Sequence, residues 1–125
     1  MIAEVNWLAL VAGVIAGFAL GFAVYGPWGF QKGWAEGSRL QGMAPDTMPV
    51  GAMLWQIGGL SMLALVVAIT ATTDSLGLAI AAIFAVAIHG GAVGAWAQKS
   101  AYAITVDVGY ALGAGCLMIG AHALI

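Results

Sequence analysis

Charge is the scarcest property of this sequence: 125 residues hold five acidic and three basic side chains, 6% in all. The formal net charge is −2, and the basic residues Lys32, Arg39 and Lys99 form no cluster. That excludes a phosphate-binding footprint for nucleic acid and a polybasic attraction to anionic headgroups. A lone cysteine, Cys116, excludes an intrachain disulfide and reads as a small core residue. Also missing are a nucleophile with an attached base, a phosphate-cradling glycine loop after a strand, and a metalloenzyme pair on one helix. The chain therefore reads as no enzyme, with no cofactor and no metal site.

What is abundant is apolar surface, 63% of all residues. Four apolar stretches run from Val5 to Tyr25, Val50 to Thr70, Leu76 to Trp96 and Ala101 to Ala123. At 1.5 Å per residue, about 20 residues of helix cover roughly 30 Å, the hydrocarbon thickness of a bilayer. Spanning strands are excluded, because the stretches are about twice as long as such a strand and do not alternate. The expected fold is an all-α integral membrane protein, a single domain of four transmembrane helices in a short bundle, with lipid as its surroundings. The first stretch begins with Glu4 and no Lys or Arg, which marks a retained helix rather than a signal peptide.

The basic residues orient it. Lys32 and Arg39 fall between Gly26 and Pro49, and Lys99 falls in the turn Gln98 to Ser100, two loops on one side of an alternating topology. The opposite turn, Thr70 to Ser75, contributes Asp74. Cytoplasmic loops collect Lys and Arg, so both termini are expected on the outer side. The inner loop carries all three prolines, Pro27, Pro45 and Pro49, and reads as a segment at headgroup level. Tyr25, Trp28, Trp34, Trp55 and Trp96 are expected to mark the inner boundary and Trp7 the outer, their polar tips reaching water while the rings stay in lipid. Met43, Met48 and Met53 recur every five residues, which matches no helix face and gives no copper site.

Packing signals are stronger. Gly13, Gly17 and Gly21 repeat every fourth residue, with Ala9 extending the stripe; Gly90 with Gly94 and Gly109 with Gly113 are shorter pairs. Such faces let helices approach closely, and in lipid close contact carries association. They serve either packing within the chain or contact with another copy or subunit, and Gly13, Gly17 and Gly21 are the expected contact face.

Counted from the inner boundary, Gln56, His89 and Asp107 share a depth of about 9 to 10 Å and form a candidate polar layer. His89 and Asp107 are equidistant from the Gln98 turn, which makes them the expected pair. An ionised Asp107 in hydrocarbon costs about 2.5 to 3.5 kcal/mol and needs a partner. Tyr110 shares its helix face, with Tyr102 and Thr105 nearer the boundary. His122 reads as interfacial, and Asn6 as a helix cap.

Asn6-Trp7-Leu8, Tyr25-Gly26-Pro27 followed by Lys32 and Trp34, and Asp107-Val108-Gly109-Tyr110 together resemble the bacterial membrane family catalogued as domain of unknown function 1761. The Gly-Pro-Trp-Gly-Phe run departs from that pattern. The resemblance implies four helices over nearly the whole chain, a multi-pass protein of the bacterial cytoplasmic membrane, and no particular activity. The expected role is a non-catalytic packing or accessory subunit, self-associating or part of a larger membrane complex. A small ion- or proton-coupled transporter or channel using the polar layer is the alternative. Apolar ligand or pigment binding between helices, with His89 as ligand, is the third.

Overall fold

The structure, a computed structural model, describes residues 2–27, 29–38 and 50–125. Trp28, Arg39, Met43, Pro45, Met48 and Pro49 lie outside the described residues. A 3₁₀ turn at Ile2–Glu4 precedes α1 (Trp7–Tyr25), α2 (Gln31–Gly37), α3 (Val50–Ala71), α4 (Leu76–Trp96) and α5 (Ala101–Leu124). The described residues contain no strand. α1, α3, α4 and α5 are each long and apolar enough to cross a membrane, which makes this an all-helical bundle with four candidate spans.

Local chemistry sets the ends. Asn6 caps α1, its side-chain oxygen accepting from the Ala9 amide at 3.0 Å, and Ser100 caps α5 by accepting from the Ala103 amide at 3.1 Å. The turns that follow α3 and α4 each use a non-glycine residue in the left-handed region, Asp74 (φ 52°) and Gln98 (φ 63°). Each turn returns a hydrogen bond to the preceding helix, Ser75 N–H to the Thr70 carbonyl and Lys99 N–H to the Gly94 carbonyl.

α5 is the spine: α1, α4 and α2 pack on it, and α3 reaches it through fewer contacts. The stripe expected to meet another copy is spent here instead. Cβ positions at Gly13, Gly17 and Gly21 would lie against Met118, against Leu60 and Ala114, and against Tyr110, while Ala9 is fully buried. The reason is economy of surface: with no side chain in the way, α1 lies close along α5 and buries Ala114 and Met118 almost completely. The shorter pairs divide. Gly94 meets Ile104 and Gly113 meets Leu20, whereas Gly90 and Gly109 are open.

α2 is a helix within what composition alone marks as loop. It is seated on α5 by close approach, since a Cβ at Gly33 would stand 2.5 Å from the Tyr102 ring and one at Gly37 would strike Ser100 Oγ and Ala103. The Ser100 amide also donates to the Gly37 carbonyl at 3.0 Å. α2 therefore sits across the end of the bundle where α1 stops and α5 starts.

Candidate functional site

That seat brings three elements onto one carboxylate. Asp107 lies in the second turn of α5, and Lys99, in the turn just before the helix, reaches along it to place Nζ 2.9 Å from Oδ2. Tyr25, at the last position of α1, donates its hydroxyl to Oδ1 at 2.6 Å. Trp34, in the middle of α2, donates Nε1–H to the same oxygen at 2.8 Å. Both charged side chains are about one-quarter exposed. An ionised carboxylate has about four acceptor positions and here meets three donors, one of them a cation, so its net charge is neutralised locally.

The aromatic rings enclose this pair. Lys99 Nζ stands 5.6 Å from the Trp34 ring centre, and Tyr25 meets Trp34 edge-on at 4.8 Å. Tyr25 also meets Tyr110 at 5.4 Å in the same manner. One helical turn deeper, Tyr110 donates its hydroxyl to the Gly17 carbonyl at 2.8 Å and accepts from Gln56 Nε2 at 2.7 Å. The phenol lies along α1 beside Gly21, whose Cβ position is 3.5 Å from the Tyr110 hydroxyl.

The expected polar layer is therefore only partly assembled. Gln56 and Tyr110 are bonded, and Asp107 lies near them through the Tyr25 ring. His89 does not join them: it is on an exposed face of α4, and Asp107 has Lys99, Tyr25 and Trp34 as its partners. Equal depth in an antiparallel hairpin was a necessary condition for the His89–Asp107 pair, but the two side chains also had to face each other. α4 turns Gly91 and Gly94 toward Val108 and Ile104 of α5, and His89 points elsewhere.

Tyr25 and Trp34, expected as headgroup anchors, are hydrogen-bond donors to the carboxylate. Trp7, Trp55 and Trp96 stay exposed, at 51%, 85% and 88%. In the sequence Lys99 reads only as a topological charge. The missed signal is its place: a lysine at the mouth of a helix that carries a half-buried acid in its second turn has a side chain long enough to reach it.

Among the described residues no three His, Cys, Asp or Glu side chains come together at metal-binding spacing. Two shallow grooves lie on the apolar sides of the bundle. One, of about 360 Å³, lies between α1 and α3 along Phe18, Phe22 and Ile57. The other, of about 330 Å³, runs over Phe30, Tyr102, Val106 and Gly109, with Tyr110 at its edge. Asp107 lines neither. The chain matches no protein-family model, no curated protein and no solved structure. The likeness to domain of unknown function 1761 rests on its short motifs alone.

Proposed function

We propose that this chain is a non-catalytic, multi-pass protein of the cytoplasmic membrane, with both termini outward, that acts as a small packing subunit, self-associating or built into a larger membrane assembly. The observation that carries this reading is the use of Asp107. Its donors come from α1, from α2 and from the turn between α4 and α5. A carboxylate spent on holding three elements together acts as a tether, and its oxygens have little capacity left for a solute. The inner halves of α3 and α4, by contrast, present open glycines at Gly58, Gly59 and Gly90. Such a surface in lipid suits a neighbouring helix.

Native mass spectrometry of protein gently extracted from its own membrane tests this reading. The expected result is more than one copy, or this chain with other chains. A single copy without partners, in lipid as well as in detergent, would overturn it. Flux through proteoliposomes that Asp107→Asn abolishes while assembly persists would replace it with transport.

A further inference from the structure

The two halves of α3 are attached differently. From its midpoint outward Leu60, Leu63, Ala64, Val67 and Ala68 are buried, whereas no residue of Val50–Gly59 is. In that inner half only Met53 and Gln56 are half-buried, on the helix line that continues to Leu60. Its flanks are uncovered on both sides. Toward α1, a groove of about 360 Å³ lies along Ile57, Phe18 and Phe22. On the other side, α4 keeps to α5 at this level, with Gly91 against Val108 and Gly94 against Ile104.

The boundary between the halves is Gly58-Gly59, with Ser61 just beyond. A glycine inside a helix either admits a neighbour or softens the backbone. The first role is visible at Gly17 and Gly115, whose Cβ positions lie against Leu60 and Ile83. At Gly58 and Gly59 an added Cβ meets nothing within 4 Å among the described residues. Sharp helix bends gather at Gly and Ser pairs, so this is where α3 gives way. In lipid a helix keeps its own backbone hydrogen bonds, and the inner half can leave the bundle without baring a polar main-chain group. What it must break is one side-chain bond. Among the described residues, Gln56 is the sole side chain of that half to hydrogen-bond another helix, donating Nε2–H to the Tyr110 hydroxyl at 2.7 Å. When that contact parts, Tyr110 keeps its bond to the Gly17 carbonyl, and its oxygen presents a free lone pair to the gap.

We propose that Val50–Gly59 is a hinged arm, bending at Gly58-Gly59 and latched by the Gln56–Tyr110 hydrogen bond, whose opening gives a lateral entrance to the Tyr110 hydroxyl. The motion lies within one chain and goes beyond the packing function. Pulsed electron paramagnetic resonance on spin-label pairs tests it, in nanodiscs holding one chain each and in a Cys116→Ala background. Leu54→Cys with Ile88→Cys spans α3 and α4 in the inner half, and Val66→Cys with Leu117→Cys is the reference in the outer half; all four positions are exposed. The inner pair gives a closed and an open distance, the outer pair one narrow distance. Gln56→Leu raises the open-to-closed ratio roughly three- to twentyfold, the range of single intramembrane hydrogen bonds. Gly58→Ala with Gly59→Ala collapses the inner pair to the closed distance. The added methyl groups enter open space, so the outer pair is unchanged. A single inner distance with the glycines in place, or a ratio that ignores either substitution, overturns the proposal. Amide exchange of the unlabelled chain gives a second reading: Val50–Gly59 exchanges faster than the rest of α3, and equal protection overturns the arm. Alanines that change copy number but leave the inner distances as they were assign these glycines to association, which overturns the hinge and leaves the packing function standing.

Discussion

At the residue scale, Asp107 gathers three side-chain donors, Tyr25, Trp34 and Lys99. Asp107→Ala leaves the Lys99 ammonium, the Tyr25 hydroxyl and the Trp34 indole without their acceptor, and destabilises the bundle by about 3 kcal/mol in a reversible unfolding measurement in bilayer-like micelles. Asp107→Asn keeps an acceptor for Tyr25 and Trp34 and loses the ion pair, so it costs less than half as much. The reverse order would show that geometry, not charge, is dispensable here. The presence of an acid needing a partner was legible in the sequence from depth and cost alone. Its partner was not, because depth orders residues along the membrane normal and says nothing of the direction in which each helix face points. Asn6 was legible as a cap because capping is local, and its bond to the Ala9 amide needs no tertiary information.

Elements differ in how tightly they are fixed. α1 and α5 are locked by the glycine stripe, so Gly17→Leu drives a branched side chain into Leu60 and Ala114, whose atoms lie 3.3 and 3.5 Å from the added Cβ. The expected loss is about 1–3 kcal/mol of monomer stability, read from unfolding of the isolated chain at a dilution where no association occurs. Gly115→Ala acts in the same way between α5 and α4, since its Cβ would stand 2.5 Å from Ile83. α2 is held by Gly33, Gly37 and the Trp34 bond, and Gly37→Ala lifts it from Ser100 and Ala103. Faster amide exchange across Gln31–Gly37, with α3 unaffected, is the expected reading. Apolar length and composition suffice to find the four long helices, because spanning a bilayer demands both. They do not find α2, whose seven residues are fixed by contact with Tyr102 and Ser100 rather than by any pattern of their own.

For the whole molecule, topology is the first property to test. In a Cys116→Ala background, Thr73→Cys is labelled by a membrane-impermeant reagent from outside, and Gln98→Cys only after permeabilisation; the opposite pattern inverts the orientation. The distribution of cohesion along the chain has a further consequence, for biosynthesis. α1 and α2 leave the ribosome first, yet most of what they pack on, Met118, Ala114, Tyr110 and Asp107, belongs to α5, the last of the long helices in chain order, while α3 meets α1 through Leu60. α4 and α5 enter as a hairpin that already carries its own Lys99–Asp107 pair, while α1 waits with only α3, through Leu60, against its glycine stripe. Until that hairpin arrives α1 is held only through α3, and a translational stop anywhere before Ala101 yields a product that lacks the helix on which α1, α2 and α4 pack, however complete its first three spans are.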